Sequence, residues 1–130
     1  MNVCGLWQGV RRLAAVIANN DGSLRAPITV RATPQNTHHL LDYLVTTDID
    51  TLILAEYSYP LITQAHARRL HVRLVPYDLL EGIRQATALN HRPPRFTAIL
   101  LARWPFTPAL RLHLREAHPS TPRKNQLALF

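Results

Sequence analysis

Cysteine and glycine are scarce in this sequence, and each scarcity excludes a class of site. Cys4 is the only cysteine among 130 residues, which excludes an internal disulfide and a cysteine-rich metal centre. Four dispersed glycines do not form a phosphate-binding loop. Seven histidines occur without the spacing that brings two ligands onto one helix face, so we expect no metal site and no cofactor. A reducing, cytoplasmic compartment is the simplest expectation, and Cys4 is expected to be a small core residue.

Long apolar runs are missing as well. The longest candidate, residues 96–102, falls far short of the about 20 residues that a membrane-spanning helix needs, so we expect no membrane partner. Apolar residues nonetheless make up 47% of the chain and charged residues 18%, which is typical of a globular protein. A chain of 130 residues is large enough for one domain with a sizeable core.

Arginine is the residue present in excess. Fifteen basic residues, of which Lys124 is the only lysine, oppose eight acidic residues and give a net charge of +7. Residues 1–57 carry four bases and five acids, a net charge of −1, whereas residues 58–130 carry eleven bases and three acids, a net charge of +8. A basic half favours an anionic partner, most often nucleic acid. Codon bias in a GC-rich genome is the alternative explanation.

The hydrophobic pattern predicts the order of the elements. Apolar and β-branched runs predict strands over residues 2–7, 11–18, 28–32, 51–55 and 71–75. Helical spacing predicts helices over residues 35–45, 58–70, 77–89, 95–103 and 109–117. Thr33 is expected to cap the first helix, with Pro34 in its first turn. The first three strands predict an antiparallel meander, and the strand-helix-strand order that follows predicts parallel pairing with right-handed crossovers.

The last thirteen residues combine a polar stretch with an apolar motif. Residues 118–125 contain two prolines and no aliphatic residue, so we expect them to form a flexible tether. The tether leads to Gln126-Leu127-Ala128-Leu129-Phe130. Exposed Leu and Phe gain nothing in water, and the pattern fits a linear motif whose side chains a partner buries. This segment resembles the bacterial sliding-clamp-binding motif, whose common form is Gln-Leu-(Ser/Asp)-Leu-Phe.

The resemblance implies a role for each residue of the motif and names the bacterial DNA polymerase sliding clamp as the partner. Gln126 would form a hydrogen bond at the edge of the clamp pocket, and Leu127 would contact the groove. Leu129 and Phe130 would fill the hydrophobic pocket. Ala128 departs from the commonest residue at the variable position. The main alternative is that the motif folds back onto the domain's own surface.

The remainder of the chain resembles a second family. The predicted order of elements is that of the RNase H-like fold. Residues 3–9 (Val-Cys-Gly-Leu-Trp-Gln-Gly) stand where RuvC-type nucleases carry an apolar strand followed by an aspartate. Residues 51–77 are similar to the second catalytic block of transposases with a RuvC-like DEDD domain, in which an apolar strand ends in a glutamate, as at Glu56. The resemblance implies an α/β fold with a mixed five-stranded sheet, flanking helices and a C-terminal helical extension over residues 1–117.

The acidic residues that this resemblance requires are incomplete. RNase H-like nucleases hold two Mg²⁺ ions between three or four carboxylates. Trp7 occupies the first aspartate position, and residues 92–103, where the late acidic pair is expected, contain no Asp or Glu. Glu56 alone remains as a candidate catalytic residue, and one carboxylate cannot hold two hard cations. The sequence therefore favours a protein that is not an enzyme, with a Mg-dependent RuvC-like nuclease or transposase-type enzyme as the alternative.

The combined prediction is a non-catalytic accessory protein of DNA replication, DNA repair or a mobile element, recruited by the clamp and in contact with DNA through a basic face. Eight arginines are assigned to that face: Arg68, Arg69, Arg73, Arg92, Arg95, Arg103, Arg111 and Arg115. Trp104 and Phe106 are expected in the core, with stacking on bases as the alternative. An interaction subunit without DNA affinity is a further alternative, and the oligomeric state stays open.

Overall fold

Six strands form one mixed sheet in the computed structural model, which describes residues 2–56 and 59–117. The strands are β1 (Val3–Gln8), β2 (Arg12–Ala18), β3 (Ile28–Arg31), β4 (Thr51–Ala55), β5 (His71–Val75) and β6 (Arg115–Glu116). Their order across the sheet is β3-β2-β1-β4-β5-β6. The first three strands pair antiparallel, and β1, β4 and β5 pair parallel. This topology confirms the predicted meander and parallel crossovers. The predicted tether and clamp-binding motif lie outside the described residues.

Helices cover both faces of the sheet. They are α1 (Pro34–Thr46), α2 (Tyr59–Ala67), α3 (Tyr77–Ala86), α4 (Pro94–Arg103) and α5 (Pro108–Arg111), with short 3₁₀ turns at Leu89–His91 and Trp104–Phe106. Helix α1 begins as predicted, because the Thr33 hydroxyl accepts a hydrogen bond from the Asn36 backbone N–H at 3.1 Å. No helix in the described part of the chain is long and apolar enough to span a bilayer.

Two hydrophobic clusters lie on opposite faces of the sheet because neighbouring residues of a strand point to opposite sides. Cys4 and Leu6 of β1 belong to the cluster formed with α1 and α2. Val3 of β1 belongs to the cluster formed with α3, α4 and Trp104, and Trp7 packs against it. We call these the α1–α2 layer and the α3–α4 layer.

Gly5 brings α4 unusually close to the sheet. A Cβ atom added at Gly5 would lie 2.3 Å from the backbone nitrogen of Ala102 and 2.4 Å from the carbonyl oxygen of Ala98. The helix backbone therefore touches the strand, and the small side chains of Ala98 and Ala102 are fully buried there. The predicted helix over residues 95–103 is a layer of the core.

The structure corrects the predicted end of the domain. The helix predicted over residues 109–117 was wrong, because α5 ends at Arg111 and the chain then forms β6. β6 pairs antiparallel with β5, and the backbone N–H of Ala117 donates to Val72 O at 3.0 Å. This pairing satisfies backbone groups at the edge of the sheet, so the predicted five-stranded sheet has a sixth short strand.

Two helices end earlier than predicted for a backbone reason. Arg69, just after α2, has φ 61°, and Ala88, just after α3, has φ 60°. A left-handed residue stops the helical hydrogen bonding. The helices therefore end at Ala67 and Ala86 instead of residues 70 and 89.

Candidate functional site

The carboxyl ends of β1 and β4 lie side by side in the sheet, and α3 crosses them on one face. At the start of α3 the backbone N–H of Tyr77 donates to Glu56 Oε1 at 3.4 Å, just beyond β4. Near the end of α3 the guanidinium carbon of Arg84 lies 4.5 Å from the centroid of a Trp7 ring, on β1. The two positions that the resemblance singles out, Trp7 and Glu56, are thus linked by one helix.

Trp7, Glu81, Arg84 and Thr97 form one connected group, which we call the Trp7–Arg84 cluster. Arg84 Nη1 lies 2.6 Å from Glu81 Oε1, and Arg84 Nε donates to Thr97 Oγ1 at 3.2 Å. The side chains of Arg84 and Glu81 are only 15% and 22% exposed. A cation over an indole face in a partly desolvated place is stabilised by the ring electrons as well as by its carboxylate. An indole therefore stands where the resemblance implies an aspartate, and a guanidinium is stacked on it.

Glu56 is already paired with a cation of the protein. Its Oε2 accepts from Arg115 Nη1 at 3.1 Å, while Oε1 accepts from the backbone of α3. The Glu56 side chain is 24% exposed and the Arg115 side chain is 69% exposed, so the pair lies at the surface. Glu56 lies where the resemblance implies a catalytic acid, but its contacts are those of a residue that holds the domain together.

The described residues do not offer a binding site for the two Mg²⁺ ions that the RNase H-like fold implies. Across residues 2–56 and 59–117, no group of three or more His, Cys, Asp and Glu side chains could hold a metal ion. Two-metal catalysis needs several carboxylate oxygens around both ions. Arg84 and Trp7 offer none, Glu56 is a single carboxylate, and the Glu81 carboxylate is paired with Arg84. The donor set does not fit the ions.

The eight arginines assigned to a basic face do not share one surface. Arg68 is 17% exposed and joins α2 to α1: its Nε lies 2.7 Å from Asp42 Oδ1, and its Nη2 lies 3.0 Å from His38 Nδ1. Arg69 follows it at the end of α2. Both belong to the α1–α2 layer, and Arg68 is engaged within the domain.

Arg92 and Arg95 lie at the start of α4, and the guanidinium groups of both lie over the ring of Phe96, at 4.4 Å and 5.0 Å from its centroid. Pro94 between them contacts the turn after β1, because a Cβ added at Gly9 would lie 3.1 Å from Pro94 Cγ. These two arginines are therefore at the same end of the sheet as Trp7, and they are exposed.

The other arginines lie elsewhere. Arg73 and Arg111 line a surface groove of about 620 Å³ that includes Phe106, and Arg73 Nε is 3.8 Å from Glu116 Oε1. Arg103 ends α4, and Arg115 pairs with Glu56. The eight arginines thus occupy several positions in the fold, and a role for them in nucleic-acid binding stays a prediction.

Sequence reasoning did not single out three further arginines that lie close together in the fold. Arg11, Arg12 and Arg31 are exposed and line a groove of about 350 Å³ with Ala32 and Thr33. They were overlooked because the net charge of residues 1–57 averages them with acids elsewhere in the fold. The signal that could have found them is the predicted meander itself, since antiparallel pairing places the start of β2 next to the end of β3.

Cys4 and Trp104 are core residues, as predicted. Both are fully buried, and burial raises the pKa of the Cys4 thiol to about 12, which removes the thiolate that a nucleophile needs. The indole N–H of Trp104 donates to Leu110 O at 2.8 Å. The core prediction was wrong for Phe106, which is 41% exposed.

No protein-family model and no curated protein matches this chain. Its fold is nevertheless similar to that of a solved structure. The chain is similar to T. thermophilus RuvC, solved in complex with a Holliday junction substrate. The TM-score is 0.65 and the sequence identity is 14%, over 90% of this chain and 99% of that one. The likeness confirms the predicted class: a mixed α/β fold of the RNase H-like, RuvC-like type.

Proposed function

We propose that this protein binds DNA through a RuvC-like domain that does not cut it. The observation that carries the proposal is the Trp7–Arg84 cluster at the carboxyl ends of the central strands. A nuclease of this fold needs oxygen ligands there to hold two cations between the attacking and leaving oxygens. The Arg84 guanidinium supplies a positive charge and no ligand oxygen, and the Glu81 carboxylate of the cluster is paired with it.

The choice of DNA as the ligand is supported by charge and by the related structure. The net charge of +7 favours an anionic partner. T. thermophilus RuvC, which shares the fold, was solved with a Holliday junction substrate. Arg92 and Arg95 lie exposed at the end of the sheet where Trp7 lies, and arginine pairs well with phosphate oxygens.

A second part of the proposal is recruitment by the bacterial sliding clamp through Gln126, Leu127, Leu129 and Phe130. The sequence of residues 126–130 supports it. Burial of two leucines and one phenylalanine contributes about 1.5–3 kcal/mol each before ordering costs, which gives an affinity on the order of micromolar. Eight residues separate Ala117 from the motif, and a fully extended segment of this length spans at most about 28 Å. Within that distance the domain can contact DNA while the motif binds the clamp, which increases the avidity.

The DNA-binding part is tested with a labelled Holliday junction, a duplex and a single strand. We expect binding in EDTA, which shows that binding does not require Mg²⁺, and no cleavage product in Mg²⁺. The nuclease alternative gives Mg²⁺-dependent cleavage that Glu56→Gln abolishes. An interaction subunit gives no binding to any of the three substrates, and that result would remove this part of the proposal.

The clamp-binding part is tested by calorimetry with a purified bacterial sliding clamp. We expect micromolar binding by the full chain and none by the double variant Leu129→Ala and Phe130→Ala. Ala128→Ser, which restores the commonest form of the motif, is the matched control and should bind at least as tightly as the original. If neither the original chain nor this control binds, the clamp is not the partner. The DNA-binding part of the proposal is then decided separately by the experiment with the three labelled substrates.

A further inference from the structure

We infer that Arg11, Arg12 and Arg31, which we call the three-arginine site, hold the phosphodiester backbone of nucleic acid. This inference rests on the proposed DNA binding and names a surface that carries it. None of the three belongs to the basic half of the sequence.

The strand register places two of these cations directly opposite each other. Arg12 of β2 pairs with Arg31 of β3 in the antiparallel register. Directly opposite residues point to the same face, with Cβ atoms about 4.5–5.5 Å apart, and like charges at such a pair are destabilising. Arg11 is held beside them, since its carbonyl accepts from the backbone N–H of Ala32 at 3.0 Å. The fold brings three positive charges together at a cost in stability.

The carboxylates of the described part of the chain do not neutralise these charges. Within residues 2–56 and 59–117, the ion pairs with Asp or Glu involve Arg68, His71, Arg73, Arg84 and Arg115, and none involves the three-arginine site. Asp21 is engaged in its own turn, where Ser23 donates to its carboxylate. An anion from outside the domain would remove the repulsion, which is the physical basis of the inference.

The surroundings of the site favour an anion of the phosphate type. Ala32 and Thr33 line the same groove as the three arginines. Thr33 is the N-cap of α1, a helix of 13 residues whose first turn contains no acidic side chain. The amino end of a helix carries a partial positive charge and attracts phosphate groups, and it adds to the field of the arginines.

The position of the site favours a polymer over a small phosphate. Arg12 starts β2 one short turn after β1, and Gly9 in that turn contacts Pro94 between Arg92 and Arg95. The three-arginine site and these two exposed arginines are therefore at one end of the sheet. Backbone phosphates spaced along a strand of nucleic acid can contact several such positions at once.

The test compares Arg12→Gln, Arg31→Gln and the double variant with Arg25→Gln. Arg25 lies between β2 and β3, at the opposite end of the same meander, and donates to Asn19 Oδ1. Arg25→Gln is a control because it removes the same charge at a position away from the three-arginine site. Binding of a labelled duplex is measured between about 50 and 200 mM salt. Each phosphate contact contributes about 0.9 to the slope of log affinity against log salt. We expect the slope to fall by about one per substituted site arginine, with binding on the order of tenfold weaker for each near 0.1 M salt, and Arg25→Gln to behave as the original chain.

The outcomes separate this inference from the proposed function. If the original chain binds DNA and the double variant binds equally well, the three-arginine site is wrong and DNA binding survives. If the original chain binds no nucleic acid, the proposed function fails and the inference fails with it. Thermal unfolding with tripolyphosphate distinguishes a small-anion site, because stabilisation of the original chain without any DNA binding would identify one and overturn the assignment to nucleic acid.

A DNA-free measurement tests the repulsion itself. At low salt the unfolding midpoint of Arg31→Gln should equal or exceed that of the original chain, because one of two opposed charges is gone. A lower midpoint would show that Arg31 stabilises the domain internally, which would overturn the argument from uncompensated charge.

Discussion

The two helical layers pack against the same sheet in different ways. The α1–α2 layer is built from large aliphatic side chains, and its buried set includes Leu40, Leu41, Leu44, Leu61 and Ile62. The α3–α4 layer instead relies on backbone contact at Gly5 and includes the partly buried polar Trp7–Arg84 cluster. The first layer needs only apolar volume. The second depends on specific residues, including Trp7, which occupies the position where the resemblance to RuvC-type nucleases implies an aspartate.

The largest effect that separates the layers is expected at Gly5. Gly5→Ala should cost about 3 kcal/mol or more of unfolding free energy, at or above the upper range for overpacking, because both close neighbours are backbone atoms that cannot rotate away. The measurement is urea-induced unfolding. Cys4→Ala, one residue away and facing the other layer, is the control and should cost about 1 kcal/mol through the loss of a small buried group. Equal costs would contradict the close approach of α4.

Arg84→Met should have the next largest effect, about 1–3 kcal/mol, because it leaves Glu81 and Thr97 without their partner in a partly buried place. The same urea experiment, extended to a double-mutant cycle with Glu81→Gln, should give a coupling of about 1 kcal/mol. A coupling free energy near zero would mean that Arg84 and Glu81 lie side by side without stabilising each other. The contrast between the two layers would then reduce to packing alone.

The sequence predicted what local forces determine. β4 and β5 have the predicted bounds, and Thr33 caps α1 as predicted, because strand propensity and capping act over a few residues. The Trp7–Arg84 stacking and the Glu56–Arg115 pair join residues 77 and 59 positions apart in the sequence, so no local pattern contains them. Strand β6 depends on the free edge of β5 rather than on its own two residues. The same limit hid Arg11, Arg12 and Arg31, whose proximity is a property of the strand register.

Cys4 provides a pH test of the α1–α2 layer. Burial raises the pKa of this thiol from 9.0 to about 12, so the folded protein keeps its proton while the unfolded chain loses it above about pH 9. The contribution of Cys4 to the unfolding free energy is therefore fully present below pH 9. It falls by about 1.4 kcal/mol per pH unit as the pH rises, up to about pH 12. At pH 10 we expect a loss of about 1.4 kcal/mol, measured by urea unfolding, that is absent in Cys4→Ala. An equal loss in both proteins would assign it to other groups.

The smallest effect is expected at the exposed ion pair between Arg115 and Glu56. Arg115→Gln should cost less than about 1 kcal/mol of unfolding free energy, because the Arg115 side chain is 69% exposed and water screens the pair. Arg84→Met removes the guanidinium of the Arg84–Glu81 pair, whose arginine is only 15% exposed, and is the matched comparison. Thermal unfolding of Arg115→Gln with and without Mg²⁺ adds a chemical test, since this substitution leaves the Glu56 carboxylate without its cation. We expect no stabilisation by Mg²⁺, because the single Glu56 carboxylate cannot supply the oxygen ligands that the ion requires. A clear Mg²⁺-dependent rise in the midpoint would mean that the carboxyl end of β4 still accepts a metal ion, and it would reopen the nuclease alternative.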